Sequence, residues 1–447
     1  MDTYRFEELT GTVVTKDQHI YEESRQAWNH AIQKYPLVIV YCEEIVDIQN
    51  AIKWSLKYDV PFRIRSGTHH YEGYSTGNDL LVIDVSRMNK IYIDEDSQTV
   101  TIQGGARNRE VYEAVCGLGY PFPGGGCPTV GVAGFTLGGG WGYSSRLLGL
   151  GCDNLIEVEL IDYKGDLLVA NTLKNEDLYW ACRGGGGGMF GVITSLMFKL
   201  PEKMTMATLI NIDYQCVGVE KVIEVAKAYQ QFFKGLDLRL NLKMAMYNSQ
   251  TKGKGVRLTG VFYGAKEEAN RLLSQFKDAT DYHLDYMTVL EVNRSIQDSH
   301  PEFEMYKSGG RFIYRDYDDE ELRHMLQIIQ DRANGSIYTA ITFYGLGGKV
   351  SDLTPDATAF YYRDANFILG FQSVWEEPKY ALVNQKWMQD GFDKLVHYTK
   401  GSFINFPFSI QEDYEERYYG GNLSKLKMIK QKYDPHNIFS FEQSIQL

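Results

Sequence analysis

The chain has 447 residues, 44% of them apolar and 23% charged, a balance that fits a soluble globular protein of two or three domains. Its formal net charge is −12 with no basic block, which argues against a nucleic-acid backbone or an anionic membrane as main partner, since either needs clustered Lys and Arg. The opening MDTYRFEELTG lacks the order of a secretory signal, and runs such as PLVIVYC are too short to cross a bilayer. The expected location is therefore the cytoplasm by default, with association with a surface assembly left open.

In chain order, Ile45, Ile48, Ile52 and Leu56 recur at helical spacing and stop before Pro61, which predicts an amphipathic helix. FRIRSG reads as a short strand entering a turn. LLVIDVS and TVTIQGGA read as strands, NREVYEAVCGLG as a helix with a glycine stop, and LIEVELIDYKGDLLVA as a hairpin turning at Lys164–Gly165–Asp166. VITSLMFKLP closes the region, so residues 1–203 form an α+β unit of short strands. From about residue 205 the texture changes. TLINIDYQC, NLKMAMYNS, VRLTGVFYG, YTAITFYGLGG and FILGFQSVW are strands rich in Tyr and Phe, and they alternate with helical segments. An antiparallel sheet backed by helices is expected, its aromatic residues either lining a pocket or filling a core.

Six cysteines are scattered with no zinc spacing, so no metal site is expected. Glycine is concentrated instead: residues 101–151 hold fifteen of the 43, and RGGGGGMFG adds six more. These glycines alternate with Val, Phe, Leu and Trp, which suggests backbone packed against something flat or charged and not a loose linker. Gly186, Gly188 and Gly191 match the dinucleotide pattern G-x-G-x-x-G, but a helical EDLYWACR precedes them and a strand follows, the reverse of a Rossmann turn. In RSGTHHYEG, backbone N–H groups of a tight turn can form an anion site, with Arg65 adding charge or bracing the loop. Its two histidines can be structural or ligating, and His70 is read as structural.

RSGTHHYEG, GGGCPTVGVAGFTLGGGWG, GLGCDNLIEVELID, NEDLYWACRGGGGGMFGVIT and the tail YYGGNLSKLKMIKQKYDPHNIFSFEQSI together resemble the berberine bridge enzyme-like FAD-linked oxidases, of the wider vanillyl-alcohol-oxidase type. The resemblance implies a two-lobed PCMH-type FAD-binding domain (1–203), a substrate domain (204–393) and a C-terminal segment (394–447) returning to the first. It implies FAD linked covalently through His69 to the 8α-methyl and through Cys127 to ring carbon 6. Arg65, Ser66, Gly67, Thr68, Gly131, Gly134, Asn154, Gly191, Ile193, Tyr418 and Asn422 fall at or beside family FAD contacts, and Val130 at a gate for molecular oxygen. The implied activity is oxidation of an alcohol group of a carbohydrate or secondary metabolite, by hydride transfer to flavin N5 with O2 reduced to H2O2. A flavin dehydrogenase and a catalytically weak structural relative are the alternatives.

Three departures stand out. Thr68 replaces a glycine, which is tolerable where the backbone is not left-handed. Phe135 replaces a histidine. The family's Tyr-x-Asn-Tyr is Phe403–Ile404–Asn405–Phe406, so neither tyrosine hydroxyl is present; Asn405 remains, and Tyr344 and Tyr362 are the candidate replacements for the base.

Overall fold

The computed structural model describes residues 4–447; residues 1–3, the start of the first domain and of the segment read for a targeting signal, lie outside the described residues. The first half carries two sheets. Strands β1 (Thr12–Thr15), β2 (Val38–Tyr41), β3 (Phe62–Arg65) and β4 (Leu81–Asp84) form a sheet in the order β1-β2-β4-β3, parallel except for β1. The predicted helix spans Ile45–Tyr58 and buries Ile48, Ile52 and Trp54 against this sheet. Leu56 is exposed and lies outside that stripe.

The second sheet is antiparallel: β5 (Ile91–Asp94), β6 (Thr99–Gln103), β7 (Leu155–Ile161), β8 (Leu167–Asn171) and β9 (Val192–Lys199), in the order β5-β6-β9-β7-β8. The hairpin β7–β8 turns where predicted, with Gly165 supplying φ +85°.

The third sheet has seven antiparallel strands: β10 (Met206–Gln215), β11 (Leu240–Ser249), β12 (Gly253–Phe262), β13 (Asp281–Thr288), β14 (Met305–Ile313), β15 (Ser336–Gly345) and β16 (Phe367–Trp375). All five aromatic strands read from the sequence are there. β13 and β14, the two edges, were not legible. β13 is half exposed and mostly polar, and β14 carries a Gly-Gly pair. Those glycines admit aromatic rings: a Cβ on Gly309 would meet Phe392 at 2.7 Å, and one on Gly310 would meet Phe406 at 2.6 Å.

This sheet has two distinct faces, as strand periodicity requires. Ile210, Ile212, Leu242, Met244, Leu258, Ile341, Phe343 and Phe371 fill a core under the helices Val219–Phe232, Asp319–Ile328 and Ala381–Leu395. The opposite face carries polar groups and looks toward the glycine loops of the first half. Two buried arginines tie the halves together. Arg146 donates to the carbonyls of Leu236, Leu240 and Leu346 at 2.7–3.1 Å, and Arg363 pairs with Asp153 through two 2.8 Å contacts. The C-terminal stretch packs back on the first half: Tyr419 donates to the Gly185 carbonyl, and buried Lys430 to the carbonyls of Met189 and Phe439 and to Asp434.

Candidate functional site

The glycine loops and the polar sheet face enclose one large cavity of about 940 Å³. Close approach of backbones builds its floor. A Cβ on Gly67 would lie 2.0 Å from the Gly131 nitrogen, and one on Gly131 would lie 2.2 Å from Ser66 Oγ. The turn after β3 is therefore pressed onto the turn at 129–131, and only glycine fits at either place. Thr68 is a correction to the sequence reading. Its φ is +63°, so a β-branched residue occupies the left-handed region that the replaced glycine would favour.

The pressed turns bring the two nucleophiles to the same cavity. His69 Nε2 is hydrogen-bonded to Thr129 Oγ1 at 2.6 Å, and its ring stacks on Trp28 with centroids 4.7 Å apart. With Nε2 so engaged, Nδ1 has no partner among the described residues. Burial, with the charges of Arg107 and His300, drops the His69 pKa to about 3, so the imidazole is neutral at physiological pH. Cys127 lines the cavity beside it. Burial raises its thiol to about 12; Lys243 pulls the other way and Glu304 adds to the rise. His70 also lines the cavity; its Nδ1 accepts from the Glu72 N–H, and its ring lies 4.8 Å from Tyr74.

The 184–191 run reaches the cavity from the opposite wall. The helix Glu176–Ala181 precedes it and β9 follows, so the Rossmann order is absent as expected. Gly184, Gly186 and Gly188 all have positive φ. A Cβ on Gly187 would stand 3.3 Å from Gly134 Cα, whereas one on Gly134 would meet nothing within 4 Å. Flat, open backbone of this kind, with Ser66 Oγ buried and unpartnered, fits the dinucleotide cofactor expected from the sequence. Val130, Gly191, Ile193, Tyr418 and Asn405 also line the cavity. Tyr418 donates to Gln443 (2.7 Å) and Asn405 to the Phe135 carbonyl (2.8 Å).

Four sequence assignments do not reach the cavity lining. Arg65 is buried in an ion pair with Asp84 that ties β3 to β4, so it braces the turn. Asn154 donates to the Leu148 and Leu150 carbonyls, and Asn422 to those of Pro355 and Thr358. Each fixes a neighbouring loop. Tyr362 is 6% exposed, stacked on Phe312, and donates its hydroxyl to the Arg417 carbonyl. Its phenol is committed elsewhere and cannot serve as base.

Tyr344 does line the cavity, its ring 5.4 Å from Phe406, and Tyr71 stacks on the other side of Phe406 at 5.5 Å. Burial holds both phenols well above the ordinary tyrosine range, so they stay protonated. The sequence reading missed Trp28, Thr129 and the polar residues of the sheet face: Asn211, Asp213, Lys243, Arg257, Thr259 and Gln372. For the sheet residues a signal existed. Asn211–Asp213 on β10 and Arg257–Thr259 on β12 alternate with the core residues Ile210–Ile212 and Val256–Leu258. Asp213 accepts from Arg257 at 2.7 and 3.0 Å and from the Tyr247 hydroxyl at 2.9 Å.

Comparison with known proteins gives this arrangement its context. Residues 36–171 match an FAD binding domain model, and residues 402–446 match a model described as "Berberine and berberine like". The FAD-linked oxidoreductase YvdP of Bacillus subtilis is 34% identical, with 98% of each chain covered. Among solved structures, BBE-like 1 of the moss Physcomitrella patens superposes with a TM-score of 0.89 at 24% identity, covering 99% of this chain and 98% of that one. Chitooligosaccharide oxidase superposes with a TM-score of 0.87 at 20% identity, covering 98% and 97%. The chain belongs to the family of berberine bridge enzyme-like FAD-linked oxidoreductases.

Proposed function

We propose that this protein is an oxidase of carbohydrate alcohol groups, with FAD attached to both His69 and Cys127. The observation that carries the substrate class is the polar sheet face. Asn211, Asp213, Lys243, Arg257, Thr259 and Gln372 present donors and acceptors into the cavity, and Trp141 and Tyr338 add aromatic surface. Asp213 and Arg257 pair with each other and Thr259 with Tyr143, but a fused-ring apolar substrate would leave Asn211, Lys243 and Gln372 without partners, at about 1–3 kcal/mol each. A sugar satisfies them and stacks on the rings. The likeness in fold to chitooligosaccharide oxidase is in keeping with that choice.

When bound, FAD would supply a hydride acceptor for the alcohol carbon and a route for the two electrons to dioxygen. The chain's own residues do the rest. Neutral His69, with Nδ1 free, and Cys127 supply the attaching nucleophiles. Attachment at either side chain would be a two-electron oxidation for which dioxygen would be the acceptor. Ser66, Gly67, Thr68, Gly131, Gly134, Gly191, Ile193 and Tyr418 hold the cofactor. Tyr344 orients the substrate hydroxyl as a donor, and Asn405 fixes the Phe135 loop under it. Val130, a small residue lining the cavity, leaves dioxygen a way in.

The replaced tyrosine hydroxyls, at Phe403 and Phe406, favour a second reading, a relative that keeps flavin without turnover. A peroxide assay on the purified yellow protein separates the two. The panel is glucose, cellobiose, chitooligosaccharides and benzyl alcohol. Peroxide with a sugar supports the oxidase. Substrate oxidation that proceeds only with an artificial acceptor points to a dehydrogenase, and no reaction with any compound supports the second reading.

A further inference from the structure

We propose that Glu304 is the catalytic base of this protein, taking the place of the phenolate missing at positions 403 and 406. The inference rests on the oxidase reading above. Three carboxylates line the cavity, Asp213, Asp281 and Glu304. Asp213 is paired with Arg257, and Asp281 accepts from Gln215. Glu304 alone has no hydrogen bond or ion pair to its carboxyl among the described residues. Glu72 shows what a structural carboxylate looks like here: it is half-buried, paired with Lys307 and bonded to the Ser409 N–H.

The backbone ties Glu304 to the segment that carries Trp28. Its N–H donates to the Trp28 carbonyl (3.2 Å), its own carbonyl accepts from His30 N–H (2.8 Å), and Trp28 is the ring that stacks on His69. Its preceding neighbours Glu302 and Phe303 are exposed, while Glu304 turns into the cavity. The strand that begins one residue later, β14, also carries the turn of the missing tyrosines: Gly310 N–H donates to the Phe406 carbonyl and Phe403 N–H to the Gly310 carbonyl. Tyr71, whose phenol feels the Glu304 charge, stacks on Phe406, so the carboxyl and the turn of the missing tyrosines line the same cavity.

Burial, with no opposing partner, lifts the Glu304 carboxyl to about 7. That matches a base working near neutrality. The titratable groups that feel its charge are Tyr71, Tyr306 on the adjoining strand, Tyr338 from β15, and Cys127. All four are pushed up, Tyr338 and Cys127 to about 12, so none titrates in the same range. Lys243 and His300 face the same cavity, and burial drops His300 to about 4, leaving it neutral. The step balances: the substrate O–H proton passes to Glu304, the C–H hydrogen leaves with its electron pair as hydride to the flavin, and a C=O bond forms.

The test is Glu304→Gln, nearly isosteric, with the holoprotein and the panel sugar that bleaches the wild-type flavin fastest. Flavin content should be unchanged. Wild-type anaerobic reduction should rise with pH through about 7 and level off. The variant should be slower by about 100-fold or more and should lack that step. Infrared difference spectra between about pH 5.5 and pH 8.5 give a readout independent of turnover. The wild-type should lose a protonated-carboxyl band that Glu304→Gln never shows, and absence of that band overturns the proposal. If Gln at 304 costs flavin, Glu304→Asp replaces it, and a slower reduction that keeps the pH step supports the base. A variant as fast as wild-type with the same pH profile overturns the base and leaves the oxidase reading intact. A wild-type protein that no sugar bleaches brings down the oxidase reading and the base with it.

Discussion

The two attachment residues differ sharply in readiness, and attachment should show it. His69 at about 3 leaves only about one imidazole in 10⁴ protonated at pH 7, so its nucleophilic form is saturated across the usual range. Cys127 at about 12 leaves a thiolate fraction of about 10⁻⁴ at pH 8, against roughly a fifth for an ordinary thiol. Attachment through Cys127 should therefore be slowed by about a thousandfold and should accelerate about tenfold per pH unit between about pH 7 and 9. Attachment through His69 should not change over the same interval. Lys243 is the charge that favours the thiolate, so Lys243→Met should slow the cysteine link further and leave the histidine link alone. The assay mixes apoprotein with FAD at stepped pH, quenches in acid, and follows the flavin-bearing peptides containing residues 69 and 127 by mass spectrometry. Single-link variants Cys127→Ala and His69→Ala isolate each rate. A cysteine rate that is flat with pH, or that equals the histidine rate, would refute the reasoning.

Other outcomes follow from the same geometry. Thr68→Gly removes a β-branched residue from a left-handed position and should stabilise the protein by about 1 kcal/mol, read as a higher denaturant midpoint; a lower midpoint contradicts the strain. Arg363→Met leaves Asp153 buried without its partner and should cost about 3–5 kcal/mol in the same measurement. Val130→Leu should slow reoxidation of the reduced protein by air far more than its anaerobic reduction, and stopped-flow with each half-reaction separates the two.

What the sequence revealed and what it hid divide along a physical line. The glycine loops were legible because glycine is demanded by backbone contact, as at Gly67 and Gly131, and such demands are written in residue type. His69 and Cys127 stood out as scarce groups inside those loops. Asn154, Asn422 and Arg65 match family positions, yet their side chains turn to loops and strand bracing; side-chain direction depends on partners distant in sequence, such as Pro355 for Asn422. Tyr362 was misread for the same reason, since its partner Arg417 lies 55 residues away. The edge strands β13 and β14 escaped because one is exposed and polar and the other replaces side chains with glycine under Phe392 and Phe406. Glu304 sits between the exposed segment 301–303 and that unread strand, and nothing local marks it as facing a cavity.

The measurement that bears most directly on the central claim is anaerobic. The purified yellow protein is mixed with glucose, cellobiose and chitooligosaccharides in turn, the flavin absorbance is followed, and air is then admitted. A sugar should bleach the flavin, and air should restore it with formation of peroxide. A flavin that no sugar bleaches, or one that bleaches only with benzyl alcohol, would contradict it.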